Sequence, residues 1–400
     1  MPALCLYFEV HQPRRLRRYT IFDVNRLHDY EDREANLEVL NRVADRCYLP
    51  ANRVVSELIR RHVGRFRIAF SISGTLLDQL ERHRTDVLDS FQELARTGAV
   101  EFLCETDCHS LAFLFSRKEF RHQVNAHKKR IQAFFGQTPR AFRNTELIYN
   151  NDLARTAEKM NIRVVLAEGA DRVLAGRSCN VLYRPAGCGR LKLLLRNYRF
   201  SDDIAFRFSD RKWPEFPLTA VKYAGRLHRV DTAEAMINLF MDYETFGEHH
   251  PRNAGIFEFL EAFPGEVLKH PDFCFLTPSQ AAASFEPAMT LDVPDYLSWA
   301  DEDRSLTAWL GNGMQIDAIQ TLYKMEPQVT RRNDPELLGA WRMLQASDHF
   351  YYMCTKWLAD GDVHQYFNPY PSPHDAYINY MNILDDFSRR LSRKTSTGKG

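Results

Sequence analysis

A chain of 400 residues with 44% hydrophobic and 26% charged residues suits a barrel-sized domain with an appendage, and its composition is that of a protein that buries a full core. Its 53 basic and 52 acidic residues leave a formal charge of +1, so no field attracts a nucleic acid or other polyanion. The N-terminus MPALCLYFEVHQP lacks a basic leader region, and no run approaches the ~18 apolar residues of a membrane span. Eight scattered cysteines read as reduced thiols, so a cytoplasmic protein without a membrane partner is expected.

Strand-like runs alternate with helical patterns through the first two-thirds of the chain. The strands are expected at Leu4–Val10, Arg67–Ser73, Val100–Cys104, Arg140–Arg143, Val164–Ala167, Leu191–Leu195 and Ile237–Met241. Helical stretches at Ala35–His62, Leu76–Thr97, Arg117–Phe135 and Asn151–Met160 separate them. Near-continuous apolar strands between amphipathic helices indicate a parallel sheet covered by helices. From Pro287 the alternation stops, and Trp309–Tyr323, Asp334–Leu358 and His374–Leu391 read as three helices. The expected organisation is a barrel over residues 1–286, a helical region over 287–391 and a disordered tail over 392–400.

Polar residues gather at one end of these strands. His11, Ser73, Glu105, Glu146, Glu168 and Asp242 each lie at or just past the C-terminal end of a strand, the face that carries the active site in β/α barrels. Two carboxylates at the mouths of separate strands, Glu146 and Asp242, suit glycosidic-bond chemistry, in which a retaining enzyme holds them about 5–5.5 Å apart. Asp242, ending a very apolar strand, is expected to be partly desolvated and to act as the acid. Glu146 is expected to stay ionised among Arg143, Asn144 and Thr145. Spacing alone leaves open a pair of barrel-mouth salt-bridge carboxylates.

His11 precedes Gln12 and Pro13 and can donate to a sugar hydroxyl. Trp299, Asp301, Trp309 and Asn312 supply aromatic faces and polar partners for a sugar, whereas Trp357 is explained by core packing. Glu248-His249-His250 and the run Arg14, Arg15, Arg17, Arg18 read as solvated loops. Cys104, Cys108 and His109 lack the paired spacing of a zinc site.

The motifs HQP, GAVEF leading to Cys108-His109-Ser110, FRNTE, MDYETFGEH and AWLGN occur in that order. With them the chain resembles glycoside hydrolase family 57, most closely its intracellular α-amylase-like branch. The resemblance implies an incomplete, seven-stranded parallel (β/α) barrel, followed by an α-helical region that completes the cleft. It also implies a retaining mechanism on α-1,4-glucans or maltooligosaccharides, without a metal or other cofactor. By this resemblance Glu146 matches the nucleophile and Asp242 the acid/base. His11 and Glu101 match positions lining sugar sites, Trp309 falls in the last motif, and Asp348 lies near the same region. Two departures concern the substrate: Glu9 stands where many members have a histidine, and Asn144-Thr145 where others have Trp and Pro. The chain also lacks a long C-terminal β-rich region found in larger glucanotransferases, which favours hydrolysis. Three alternatives stand beside this reading: 4-α-glucanotransferase or branching activity at the same site, a metal-dependent carbohydrate deacetylase using His11, His109, His249 and Asp242, and a non-catalytic glycan-binding relative.

Overall fold

The computed structural model describes residues 2–230, 236–356 and 368–393. All seven expected strands form: β1 (Ala3–Val10), β2 (Ile68–Ile72), β3 (Val100–Phe102), β4 (Ala141–Arg143), β5 (Val164–Glu168), β6 (Lys192–Arg196) and β7 (Met236–Asp242). Parallel ladders join them in the order β3-β2-β1-β7 and β4-β5-β6. A parallel bridge from Cys104 to Phe142 links β3 to β4. Alternation along β1 explains the architecture. Leu4, Leu6, Phe8 and Val10 enter the layer between sheet and helices, whereas Ala3, Cys5 and Tyr7 fill the barrel interior with Ala69, Val164, Leu194 and Phe240.

Among the described residues no ladder joins β6 to β7, and side-chain bonds with one backbone bond hold the seam. Asn238 Nδ2 donates to the Leu195 carbonyl at 2.9 Å, and the Asn197 N–H donates to the Asn238 carbonyl at 2.9 Å. Arg196 Nε donates to the Phe240 carbonyl at 2.7 Å, and the Phe240 N–H donates to Ser201 Oγ at 3.2 Å. This is the incomplete barrel that the resemblance implies, and a helical C-terminal region packs against it.

That region shares one hydrophobic core with the barrel: Trp309, Trp341 and Phe387 pack in the same cluster as Phe142, Val165 and Leu193. Its helices differ from expectation: Trp309–Tyr323 divides at Gly311–Asn312 into Thr307–Leu310 and Gly313–Lys324, and Glu326–Arg332 forms a further helix. The predicted helix Asp334–Leu358 breaks into Pro335–Met343 and Ser347–Tyr351. Ala346 makes an antiparallel bridge with Ser110, and the Ser347 N–H donates to the His109 carbonyl at 2.9 Å. A tertiary pairing thus overrides helical propensity. The tail expected over 392–400 begins inside the helix Pro373–Ser392, whose C-cap is Arg393, and its remainder from residue 394, like Trp357, lies outside the described residues. Likewise Ala35–His62 divides into Arg33–Val43 and Leu49–Arg61 around a π-helical turn at Ala44–Tyr48, and Leu76–Thr97 divides at Arg84. No described helix is long and apolar enough to cross a membrane.

The seam makes Asn238 structurally necessary. Asn238→Leu is expected to orphan the Leu195 carbonyl and lower stability by about 1–3 kcal/mol, read by denaturant unfolding. An unchanged midpoint would show that the seam is held otherwise.

Candidate active site

The C-terminal strand ends, and segments after residue 287, enclose one cleft of about 560 Å³. Glu9, His11, His109, Arg143, Glu146, Asp242, Glu244, Trp299, Asp348 and Tyr352 are among its lining residues. Glu146 lies just past β4 in a turn with a left-handed backbone, φ 59°. His109 has φ 50°. Non-glycine residues adopt this region at a cost of about 1–3 kcal/mol each, and such strain collects at functional sites.

Glu146 is held on several sides. Trp299 Nε1 donates to its Oε2 at 2.8 Å, and Ser347 Oγ donates to its Oε1 at 3.0 Å. His109 Nε2 lies 3.4 Å from Oε1, and the Trp299 N–H donates to the Glu146 carbonyl at 3.2 Å. The side chains of its chain neighbours Asn144 and Thr145, expected around it, bond elsewhere. Asn144 Nδ2 donates to the Ile148 carbonyl, while Thr145 Oγ1 bonds Thr106 Oγ1 at 2.7 Å.

Beneath Glu146 lies a buried charged cluster. Arg143 Nε is 3.0 Å from Glu9 Oε2, and its Nη1 is 3.8 Å from Glu105 Oε2. Tyr7 OH (2.7 Å) and Ser71 Oγ (3.0 Å) also donate to Glu9 Oε2. Burial works against a charge on His109, but Glu105, Glu146 and Glu9 around it hold its proton well above the usual histidine range.

The His109 ring stacks on His11 with centroids 3.8 Å apart. Two charged rings would repel at that distance. Burial and the His109 charge lower the proton affinity of His11, against the pull of Asp348. The hydrogen bonds then assign its tautomer. Nε2–H donates to Asp348 Oδ2 at 3.1 Å, and Nδ1 accepts from Ser73 Oγ at 2.6 Å, while Ser73 Oγ caps the following helix by accepting the Leu76 N–H. Both ring nitrogens are occupied, so His11 orients Asp348 instead of donating to a sugar hydroxyl as expected.

Asp242 is half-buried at the end of β7. The markedly raised carboxyl beside it is Glu244, which lies two residues on and is almost fully buried. Burial first, then the charge of Asp242, pushes Glu244 up to about 8. Its Oε1 accepts from Tyr48 OH at 2.5 Å, and the π-helical turn brings Tyr48 there.

Comparison with known proteins decides what this cleft belongs to. The family model for glycosyl hydrolase family 57 matches residues 5–294. The chain belongs to glycosyl hydrolase family 57. A protein of Methanocaldococcus jannaschii named "Putative alpha-amylase" is 41% identical over 393 residues, which is 95% of this chain and 83% of that protein. Among solved structures, a family 57-type branching enzyme from Pyrococcus horikoshii superposes with a TM-score of 0.69 at 16% identity, covering 92% of this chain and 87% of that one. The alpha-amylase AmyC from Thermotoga maritima gives 0.65 at 13% identity, covering 98% and 94%. The 4-alpha-glucanotransferase from Thermococcus litoralis gives 0.66 at 15% identity over 87% of this chain, which spans only 56% of that chain's length. These distant structures establish the fold, and the family makes the chain a glycoside hydrolase.

Within this family 57 cleft the structure brings together Glu146, Asp242, His11, Trp299 and Asp348 of the residues read from sequence. Three others are corrected. Glu101 points away from the cleft, accepting the Ser279 N–H at 2.9 Å at the start of helix Pro278–Ser284, where a carboxylate meets the positive helix end. Trp309 is fully buried in the core. Asn312 caps the helix Gly313–Lys324 in a capping box and donates to the Met353 carbonyl at 2.8 Å.

Two supposed solvated loops are also corrected. Arg15 is buried, Arg14 pairs with Asp78 at 2.9 Å and Arg17 with Asp29 at 3.4 Å. Glu248 and His250 are buried, Glu248 pairing with Arg42 at 2.9 Å, and His249 lines the cleft. Glu168 is buried 3.1 Å from Arg196, whose guanidinium lies 5.9 Å from the Trp299 ring. Tyr352 and Glu244, noted in the sequence as an aromatic and a strand-end charge without an assigned role, line the cleft, whereas Ser347, the donor to Glu146, was missed. The motif MDYE places Glu244 beside Asp242 and was the available signal for it.

Two clusters of possible metal ligands occur among the described residues, His11–His109–Asp348 and Glu9–Glu105–His109. The first has parallel, stacked rings and both His11 nitrogens engaged, so it fits the deacetylase arrangement poorly. Neither cluster includes Cys104 or Cys108.

Glu244 makes stability depend on pH. An acid whose folded pKa is raised from 4.5 to about 8 binds more protons folded than unfolded, so its contribution falls as pH rises through that window. The loss amounts to about 1.4 kcal/mol per pH unit at most. Glu244→Gln, which stays neutral, is expected to gain stability over the wild type at pH 8 relative to pH 5. Equal pH slopes in denaturant titrations would contradict the assignment.

Proposed function

We propose that this glycoside hydrolase is α-amylase-like and retaining, cleaving α-1,4-glucosidic bonds in α-glucans or maltooligosaccharides. Glu146 is the nucleophile and Asp242 the acid/base. The observation that carries this is the setting of Glu146 in a cleft shared with Asp242. Each carboxylate oxygen of Glu146 accepts a hydrogen bond, from Trp299 and from Ser347, and a protonated His109 stands beside it. Such donors favour the ionised carboxylate and fix its direction of attack.

In this reading a glucosyl ring lies in the cleft, and Asp242 protonates the leaving oxygen as Glu146 attacks the anomeric carbon. The glycosyl–Glu146 ester is then cleaved by a water that Asp242 deprotonates. Trp299 offers a ring at the mouth, and Tyr352, whose hydroxyl finds no hydrogen-bond partner, suits a sugar hydroxyl. The segment after residue 287 completes the cleft by supplying Trp299, Ser347, Asp348 and Tyr352. The name of the M. jannaschii relative supports the amylase reading.

Transfer is a second reading of the same intermediate. The branching enzyme and the 4-alpha-glucanotransferase, by their names, act as transferases on this fold. Water and a sugar hydroxyl compete for one ester, so both outcomes need the same carboxylates.

Incubation with a maltooligosaccharide series tests the proposal. Shorter products first released as the α-anomer are expected, and longer products beside them would mean transfer. β-Anomeric products would overturn the retaining mechanism. Glu146→Gln is expected to lower turnover by roughly 10³-fold or more while remaining folded. A variant that keeps more than a tenth of the wild-type rate would remove Glu146 from its role.

A further inference from the structure

The cluster under Glu146 has an uneven pattern of satisfied atoms. Glu9 uses Oε2 for Tyr7, Ser71 and Arg143, and Glu105 uses Oε2 for Ser71 at 3.3 Å and Arg143. The other oxygen of each, Oε1, is buried without a hydrogen bond, and so are His109 Nδ1 and the three side-chain nitrogens of Arg143, a residue that ion-pairs on the Oε2 side. The two Oε1 atoms and His109 Nδ1 face one another. His109 Nδ1 lies 3.5 Å from Glu9 Oε1 and 3.9 Å from Glu105 Oε1, and the three residues' ligand atoms all fall within 4.8 Å of one another.

We propose that Glu9 Oε1, Glu105 Oε1 and His109 Nδ1 form a binding site for one divalent transition-metal ion such as Zn²⁺, buried beneath the catalytic cleft. Buried polar atoms in folded proteins are nearly always hydrogen-bonded, and these three, at ion-pair distance but without a hydrogen bond, converge on one place where an ion can bridge them. Ligand atoms at about 2.0–2.2 Å from a tetrahedral ion stand roughly 3.3–3.6 Å apart, close to the 3.5 and 3.9 Å from Nδ1 to the two oxygens, and binding would draw the three atoms, now within 4.8 Å of one another, together. A nitrogen and two carboxylate oxygens suit Zn²⁺ better than the all-oxygen cages of Ca²⁺ or Mg²⁺.

The surroundings have the form of an outer ligand shell. Tyr7, Ser71 and Arg143 fix the far oxygens of both carboxylates, which aims the near ones. Charge agrees as well: Glu9, Glu105 and Glu146 against Arg143 leave two uncompensated negative charges around a neutral His109. The same field of carboxylates would hold a dication between them.

The ion's role is to position, and it takes no part in breaking the glycosidic bond. On Nδ1 it leaves Nε2 as the only N–H of His109, directed at Glu146 Oε1 at 3.4 Å. The inference does not rest on the proposed reaction, because binding is read without substrate.

The test uses the full chain, stripped by dialysis against a chelator and titrated with Zn²⁺ by calorimetry and with Co²⁺ by visible absorption. One equivalent should bind and give Co²⁺ d–d bands. Glu105→Gln should weaken binding at least tenfold and abolish the bands, with its fold checked by circular dichroism. Wild-type crystals soaked in Zn²⁺ should show one anomalous peak touching the three named atoms, a readout that needs no variant. Absence of that peak, or Co²⁺ bands unchanged in Glu105→Gln, would overturn the site.

Discussion

The cleft depends on one buried guanidinium. Arg143 is fully enclosed at the end of β4, and with His109 on their other side it is a cation against which Glu9 and Glu105 are held. Without it, those carboxylates would face one another and Glu146 in a low-dielectric interior. Removing one partner of a buried pair costs about 3–5 kcal/mol because the remaining charge is uncompensated. Mutual attraction raises the proton affinity of Arg143 despite burial, so it stays charged. The arginine also lies 4.9 Å from the Trp299 ring, the same ring whose N–H holds Glu146. Charge placement below the cleft and aromatic placement beside it therefore share one anchor.

The helical region is joined to this anchor by backbone hydrogen bonds. Left-handed conformations at His109 and Glu146 are costly, and each is tied by its carbonyl to the C-terminal segment: His109 to the Ser347 N–H and Glu146 to the Trp299 N–H. The break at Leu344–Ala346 lets Ser347 reach both His109 and Glu146. Loss of that packing would release the strained turns together, so barrel and helices form one site in mechanical terms.

Much of the fold was legible because parallel strands buried on both faces show as unbroken apolar runs. The strand ends also announced the cleft through Glu146 and Asp242. What remained hidden was direction and partner. Glu101 and Trp309 lie in motifs, but a motif position does not say which way a side chain points. One faces a helix N-terminus and the other the core. Leu344-Gln345-Ala346 carries no helix-breaking residue, and only the tertiary bridge to Ser110 explains the break. Glu9 stood out as a departure from the family pattern. Its meaning required Arg143, a residue distant in sequence whose approach only the barrel provides. Asp242 and Glu244 share one short motif, yet burial, which the sequence does not show, separates their surroundings.

The central claim is that Glu146 forms the covalent bond to sugar. A fluorine-substituted maltosyl fluoride that forms the glycosyl-enzyme faster than it is cleaved, followed by peptide mass mapping, tests this directly. The account predicts one maltosyl adduct per chain, on the peptide bearing Glu146 and absent from Glu146→Gln. An adduct on Asp242 or Glu244, or steady turnover that never accumulates an adduct and inverts the anomer, would contradict it.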